Sequence, residues 1–338
     1  MSTYALMENP SSELWNKAIN VICPLGNFLQ SFEYGEMIKA SSPGSRVVRL
    51  LIKDDDDAIG LAQGTYNVYL GFGTTLNVRW GPLISTKISD FKHPVEDLVH
   101  RFEAYCKKHR VIEASFSILS SSNFEEVFRQ MNYVQKWKEN EYVVYLDGGK
   151  EQLWKNIHHN KRRNVKRALE QGVEVTNSHK NDDLQTFYSL LDITVKREGF
   201  TPFPRALFDS IWNDYDPELS KVFLANWKGK CLSAVFIVVH EKTAYALNAG
   251  SVGEGLEVRP NDVMHWKAME WACDRGYLRY NLGGVSEPPP TEGSSKWGIW
   301  RWKKEWKGNL ERIDILNKII LPKYKPVLWS RDIIHKAI

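Results

Sequence analysis

The sequence predicts a mixed α/β fold built from two related halves. The chain has 338 residues, which is more than a single hydrophobic core usually holds. A meander of strands, one long helix and a further strand occur in this order twice, so the sequence contains an internal repeat. Hydrophobic residues make up 43% and charged residues 25% of the chain, which is typical of a globular protein rather than a disordered one.

The elements of the first half follow from hydrophobic periodicity. Alternating β-branched and aromatic residues between turn formers indicate strands, and apolar residues at every third or fourth position indicate helices. The acidic run 54–57 is interpreted as a solvated hairpin turn. These patterns predict helices at 13–20 and 27–39, strands at 46–53, 58–63 and 66–71, a long helix at 94–110 and a strand at 111–119.

The second half repeats this order. A strand at 142–146 is followed by Gly148 and Gly149 and then by a helix that begins near Glu151, which is typical of a domain boundary. The predicted domains are 1–147 and 148–338, the second with a C-terminal extension. In the second domain the patterns predict strands at 221–227, 230–239 and 243–249, a helix at 261–275 and a strand at 278–282.

Composition also limits cofactors and location. No apolar run approaches the roughly 20 residues that cross a bilayer, and the first ten residues lack the layout of a signal peptide. We therefore predict a cytoplasmic protein. The four cysteines are scattered without a CxxC pair, which argues against a zinc site or a disulfide framework. We expect no metal and no cofactor.

Basic residues are concentrated between positions 154 and 167, although the net charge of the whole chain is only +4. On a helix, side chains three or four positions apart share a face. Such a face suits a polyanion, because each neutralised phosphate releases counterions. A merely solvated helix remains the alternative. The cluster predicted to bind tRNA or another phosphate-bearing partner comprises Lys161, Arg162, Arg163, Lys166 and Arg167.

A second cluster, at 296–308, combines basic residues with tryptophans. Tryptophan is seldom fully buried, so this density indicates a stacking surface or a pocket wall. The alternative is a strand whose alternate tryptophans pack on a sheet. In such a strand Arg301 and Lys303 would share the opposite face, where two cations can stabilise an oxyanion or a terminal phosphate.

Several segments, read in order, form a recognisable series. They are 27–31 with Tyr34 and Gly35, 79–82, 160–168 with Gly172 and Val173, 280–284, and 298–303 before 306–308. Together they resemble the Fem (FemABX-type) aminoacyltransferase family, and the repeated unit is itself similar to the GNAT acyltransferase fold. The resemblance implies tandem GNAT-like domains of the compact type, without the coiled-coil arm that larger members carry.

The resemblance also implies an activity. Members of the family move an amino acid from aminoacyl-tRNA to an amine of a peptidoglycan precursor peptide, which forms a cell-wall cross-bridge. The implied partners are aminoacyl-tRNA, which is the donor substrate, and a nucleotide- or lipid-linked precursor. Peripheral contact with a membrane is compatible with that acceptor.

The same resemblance implies roles for individual residues. Lys303 matches the lysine implicated in transfer, with Trp302 in place of the usual phenylalanine. Lys39 and Arg205 match precursor-binding cations, and Tyr245 matches a wall of the acceptor groove. The sequence departs from the family in two places: Ser120 stands where a carboxylate often ends the strand, and Asn281-Leu282 replaces Asp-Phe.

Two other functions stay open at this stage. A GNAT-type N-acyltransferase could use acyl-CoA or aminoacyl-tRNA on an amine outside the cell wall. Acyl-CoA is disfavoured because the turn at 259–264 lacks the glycines that bring backbone N–H groups to a pyrophosphate. A non-catalytic RNA-binding protein would use the two basic clusters alone, although no recognisable RNA-binding motif is present.

Overall fold

The computed structural model describes residues 4–42, 44–69, 73–285 and 289–324. The chain folds into two compact units. Unit 2 is Asn140–Glu311, and unit 1 comprises the residues before Asn140 with the segment that begins at Arg312. The observed boundary therefore precedes the predicted one at Asp147. The part of the predicted C-terminal extension that follows residue 324 lies outside the described residues.

The first part of the chain contains the predicted helices and strands with several differences. The helix predicted from residue 27 begins at Phe32, and the prediction omits the short elements Ala5–Glu8, Leu83–Ile84 and Glu125–Gln130. The strands predicted at 58–63 and 66–71 form one strand as far as Tyr69, and residues 70–72 lie outside the described ranges. The prediction omits a strand at Gly73–Val78, because few of its residues are apolar. In chain order the elements are β1 (Ala5–Glu8), α1 (Ser12–Ile22), α2 (Phe32–Ser41), β2 (Arg46–Asp54), β3 (Asp57–Tyr69), β4 (Gly73–Val78), β5 (Leu83–Ile84), α3 (Lys92–Lys108), β6 (Glu113–Leu119), α4 (Glu125–Gln130) and β7 (Val134–Tyr145).

The second part of the chain confirms the predicted strands and the long helix. The tryptophan-rich segment, however, is a helix and not the strand considered above. In chain order the elements are α5 (Gly149–Asn156), α6 (His159–Glu170), β8 (Glu174–Ser178), α7 (Asn181–Glu198), α8 (Arg205–Asp214), β9 (Ser220–Trp227), β10 (Lys230–His240), β11 (Thr243–Ser251), α9 (Pro260–Asp274), β12 (Arg279–Gly284), α10 (Ser295–Lys304) and β13 (Asn309–Ile319).

The predicted repeat is confirmed by the strand order of the two units. In unit 1 the order is β1-β2-β3-β4-β6-β13, and in unit 2 it is β8-β9-β10-β11-β12-β7. In each unit an antiparallel meander of four strands is followed by a parallel pair, β4 with β6 and β11 with β12. The crossover between the strands of each pair contains the long helix, α3 or α9.

The final strand of each sheet comes from the other half of the sequence. In unit 1, β13 pairs antiparallel with β6 from Ile313 onward. In unit 2, the residues of β7 from Glu141 onward pair antiparallel with β12. A boundary read from sequence order assigns β7 to the first half, which explains why the predicted boundary differs from the observed one.

The long helix of unit 1 buries one apolar stripe against its own sheet. In α3 the fully buried residues include Val95, Leu98 and Phe102, at helical spacing, and Phe102 meets Phe116 of β6 edge to face. Burying one such side chain stabilises the fold by about 1.5–3 kcal/mol. In unit 2, α7 packs on β11 at Gly250, where an added Cβ would lie 2.4 Å from backbone atoms of the helix.

Two of the motifs quoted for the family resemblance hold each other in unit 1. The Gln30 amide donates to the carbonyl of Arg79 at 2.7 Å and accepts from the backbone N–H of Gln63 at 2.6 Å. Asn27 donates to the carbonyl of Trp80 at 2.9 Å. Buried backbone groups need such partners, so these motif residues shape the turn after β4.

Candidate active site in the second unit

The two parallel strands of unit 2 part and leave a cleft. Among the described residues, β11 and β12 pair over three positions, ending at Tyr245 and Asn281. β11 continues to Ser251, paired with β10 on its other edge. Its residues 246–249 are half-exposed, although the preceding residues are buried. Residues 246–249 of β11 therefore lie along the gap between the two strands, which we call the cleft.

The ammonium group of Lys303 lies where these strands part. Its Nζ donates to the carbonyl of Gly284 at 2.6 Å. A Cβ added to Gly283 would lie 3.8 Å from both Lys303 Nζ and the carbonyl oxygen of Ala246. The amine, the end of β12 and the unpaired part of β11 thus meet at one point.

Burial lowers the pKa of this amine. The Lys303 side chain is 9% exposed. Desolvation lowers the pKa of Lys303 to about 8, and the negative charge of Glu141 opposes that shift. The group is therefore a protonated donor at neutral pH, held in a low-dielectric setting in which a hydrogen bond to a developing oxyanion is strong.

A polar pair borders the cleft beside Lys303. The Asn281 amide donates to Glu141 Oε2 at 2.5 Å and accepts from the backbone N–H of Gly283 at 2.7 Å. Tyr245 lies opposite Asn281 in the strand ladder. Asn281 is one of the positions where the sequence departs from the Fem family, and the structure places the Glu141 carboxylate directly against it.

The structure corrects the sequence prediction that Lys161 lies on an exposed basic face. It is fully buried, with Nζ 2.6 Å from Asp262 Oδ1 and 3.7 Å from Glu305 Oε2. Burial lowers the pKa of Lys161, whereas the Asp262 carboxylate raises it. The position of Lys161 on the buried face of α6 makes it part of an internal ion pair, so it does not belong to an exposed phosphate-binding face.

The ion pair also holds Trp302. Its indole N–H donates to Asp262 Oδ1 at 2.7 Å, and Lys161 Nζ lies 4.5 Å from the centre of its ring. A cation at this distance from a tryptophan face is attracted by the ring. Trp302 therefore fixes the helix that carries Lys303.

His265 and Tyr280 are site-supporting residues that the sequence analysis misses. His265 Nδ1 lies 2.9 Å from the Tyr280 hydroxyl, and the ring meets Trp302 edge to face at 4.9 Å. Burial lowers the pKa of His265 to about 3, and the charges of Lys161 and Lys303 add to this. The imidazole is thus neutral. In the sequence, the only signal for His265 is its spacing of three residues from Asp262, about one turn of α9.

The exposed basic face of α6 is smaller than predicted. Arg163, Lys166 and Arg167 are exposed, as a phosphate-binding role requires. Arg162 is half-buried, and its Nη1 donates to carbonyl groups at the end of α5, including that of Ile157 at 2.6 Å. It therefore closes the α5–α6 turn, and because it also lines a surface pocket with Arg163, Lys166 and Arg167, its phosphate-binding role stays a prediction.

Arg301 does not share a face with Lys303, because the segment is helical. Residues two positions apart on a helix point in different directions, and Arg301 is exposed whereas Lys303 is buried. Arg301 lies 3.7 Å from Glu305 and lines a pocket of about 370 Å³ at the start of α9. Arg163, Arg259 and Trp297 also line this pocket. With Lys161, Asp262, Trp302 and Glu305, its lining combines four cations with two indoles and two carboxylates.

The predicted precursor-binding residues lie elsewhere. Lys39, in unit 1, is exposed and pairs with Glu36 at 2.8 Å. Arg205, in unit 2, is exposed, pairs with Asp192 and lies over the Tyr188 ring at 5.0 Å. Both cations remain accessible to an anion that replaces a carboxylate.

In the described ranges, no helix combines the length and apolar character needed to cross a membrane. Within those same ranges, the His, Cys, Asp and Glu side chains form no group of three that could hold a metal ion.

Comparison with known proteins supports one fold. Residues 155–304 match the family model described as acetyltransferase (GNAT) domain. The crystal structure of FemX superposes with a TM-score of 0.80, covering 95% of this chain and 99% of that chain at 17% identity. The chain has a tandem GNAT fold like that of FemX. A tandem GNAT protein from the clavulanic acid pathway also superposes, with a TM-score of 0.62, over 94% of this chain and 99% of that chain at 8% identity.

Curated relatives of this chain are named transferases. UDP-N-acetylmuramoylpentapeptide-lysine N(6)-alanyltransferase of Weissella viridescens is 26% identical over 121 residues, which is 36% of each chain. Lipid II:glycine glycyltransferase of Staphylococcus aureus is 22% identical over 231 residues, covering 48% of this chain and 54% of that protein. The matches thus span about a third to a half of these relatives.

Proposed function

We propose that the protein transfers an aminoacyl group from aminoacyl-tRNA to an amine of a peptidoglycan precursor peptide. The observation that carries the proposal is the position of the Lys303 ammonium, where β11 and β12 part. The names of the two curated relatives, an alanyltransferase and a glycyltransferase of cell-wall precursors, support this acceptor class. A cytoplasmic protein without a resident cofactor fits this role.

In the proposed reaction the aminoacyl ester lies in the cleft with its carbonyl oxygen directed at Lys303. The acceptor amine attacks the carbonyl carbon, and the resulting oxyanion receives a hydrogen bond from the ammonium. Collapse of the intermediate forms the amide and breaks the bond to the terminal ribose oxygen. The ester is already activated, so alignment of the two substrates supplies much of the rate.

The exposed cations support RNA as the donor. Arg163, Lys166 and Arg167 form a basic surface on α6, and Arg163 also lines the pocket with Arg259 and Arg301. An RNA 3′ end offers phosphates to such cations and bases to a neighbouring tryptophan. Lys39, Arg205 and Tyr245 remain candidates for holding the acceptor precursor.

Acyl-CoA is the competing donor, because the family model that matches is that of acetyltransferases. The test is a pair of reactions with a nucleotide-linked pentapeptide as acceptor. One contains a total tRNA pool charged with labelled amino acids, and the other contains labelled acyl-CoA. Label in the acceptor from the tRNA reaction supports the proposal. Label only from acyl-CoA, or RNA binding without any transfer, contradicts it.

Removing the exposed cations of α6 is expected to weaken use of the donor. For the triple variant Arg163→Ala, Lys166→Ala, Arg167→Ala we expect KM for aminoacyl-tRNA to rise at least about tenfold with little change in kcat. The slope of log(kcat/KM) against log salt should become shallower by about 0.7–0.9 for each phosphate that the variant no longer neutralises. Steady-state kinetics at several salt concentrations measure both.

The matched control is Lys196→Ala, which removes an exposed cation from α7. It should leave KM and the salt slope unchanged. An equal loss in the control and the triple variant would mean that overall charge, and not this face, attracts the RNA.

A further inference from the structure

When an amine accepts an aminoacyl group, its nitrogen must lose a proton to a base. A primary side-chain amine has an unperturbed pKa near about 10.4, so at neutral pH it arrives as an ammonium ion and cannot attack. The first-half position where the Fem family often has a carboxylate holds Ser120, whose hydroxyl donates to Asp314 at 2.7 Å. Asp314 is itself 2% exposed and also accepts from Gln135, so it is committed to packing within unit 1.

Glu141 supplies a carboxylate at the cleft of unit 2. Its backbone lies opposite Gly284 in the β7–β12 ladder, and the carbonyl of that same glycine accepts the bond from Lys303. Glu141 is half-exposed, which leaves it reachable from solvent. The carboxylate and the Lys303 ammonium therefore flank the same end of β12.

The orientation of Glu141 is fixed by a short chain of hydrogen bonds. The backbone N–H of Gly283 donates to Asn281 Oδ1, which leaves the Asn281 amide nitrogen directed at Glu141 Oε2. A neutral amide donor stabilises the ionised carboxylate without supplying a proton to it. An aspartate at position 281 would instead repel it, so the asparagine of this sequence and Glu141 suit each other.

The negative charge of Glu141 acts on Lys303. Burial lowers the pKa of Lys303, and the charge of Glu141 raises it. Both groups flank Gly284, and they can divide the chemistry. The cation stabilises negative charge on oxygen, while the carboxylate accepts a proton from nitrogen.

We propose that Glu141 is the general base of the transfer, and that it receives a proton from the acceptor ammonium. This inference rests on the proposed function. Loss of that proton frees the nitrogen lone pair, which forms the C–N bond. When the intermediate collapses, the C–O bond breaks and the leaving ribose oxygen takes a second proton from the nitrogen. The product is a neutral amide, and protonated Glu141 returns its proton to solvent.

The test replaces Glu141 by glutamine, which keeps the shape and an oxygen that can accept from Asn281 but removes the base. General bases contribute about 10²–10⁴-fold, so Glu141→Gln should lower kcat for an amine acceptor at least about 100-fold. A second acceptor carries an aminooxy group in place of the amine. That nucleophile is uncharged at neutral pH, so Glu141→Gln should lower its transfer by less than about threefold.

The comparison separates a base from a structural residue. Glu139→Gln, on the same strand, is the exposed control and should leave transfer to both acceptors unchanged. Equal losses with the amine and aminooxy acceptors would overturn the proposal in favour of a positioning role. If the wild type is active and the rate of Glu141→Gln lies within threefold of the wild-type rate, the proposal is also overturned. If the wild type transfers nothing, the proposed function on which this inference rests is refuted instead.

Discussion

Replacing Lys303 by methionine is expected to lower kcat at least about 100-fold, because the loss of one oxyanion donor typically costs about 10²–10³ in rate. Methionine retains most of the volume of the lysine side chain and removes the ammonium that donates to Gly284. Steady-state transfer from aminoacyl-tRNA measures the effect. KM should change little, since the ammonium acts on charge that develops in the transition state.

The pH dependence of the wild type gives an independent reading of the same group. The pKa of Lys303 is lowered to about 8, and only the protonated form can donate to an oxyanion. The rate should therefore fall as the pH rises through about 8, and Lys303→Arg should move this fall above the assay range because a guanidinium stays charged. A loss below threefold in a folded Lys303→Met protein, with an unchanged pH profile, would contradict the assignment.

Replacing Asp262 by alanine is expected to lower the free energy of unfolding by about 3–5 kcal/mol, because it leaves a buried charge without its partner. Asp262 accepts hydrogen bonds from Lys161, Trp302 and Asn164. Removing the carboxylate therefore orphans one cation and two neutral donors, and Glu305, at 3.7 Å from Lys161, compensates only in part. Urea unfolding measures the change.

Two variants frame this result. Lys166→Met changes an exposed cation of α6, the helix that carries Lys161, and should alter the free energy of unfolding by less than about 0.5 kcal/mol. The double variant Lys161→Met, Asp262→Asn removes both charges and should recover most of the stability. If Asp262→Ala were as stable as Lys166→Met, the buried ion pair would not hold α6 against α9.

The fold could be predicted from the sequence because its signals are local. The apolar stripe of α3, with Val95, Leu98 and Phe102, has the period of a helix, and the same order of elements recurs in the second half. The final strands could not be assigned in this way. β7 follows the first half in sequence and pairs with β12, a choice made by long-range contacts that periodicity does not encode.

The site was harder to predict for a physical reason. Charge in a sequence indicates exposure, so Lys161 was grouped with Arg163, whereas one buried carboxylate places it in the interior. Alternation around Trp302 allowed a strand, but the segment forms a helix, which separates Arg301 from Lys303. Glu141 carries no local pattern at all, and only the pairing of β7 with β12 brings it to the cleft.

Aminoacyl-tRNA, and not acyl-CoA, is the proposed donor to a precursor amine. One competition measures it: the protein is mixed with a nucleotide-linked pentapeptide, charged total tRNA and acetyl-CoA together, and the mass of the acceptor is recorded. We expect a mass increase of one amino-acid residue that is absent with Lys303→Met. An increase of one acetyl group, with no aminoacyl product, would contradict it.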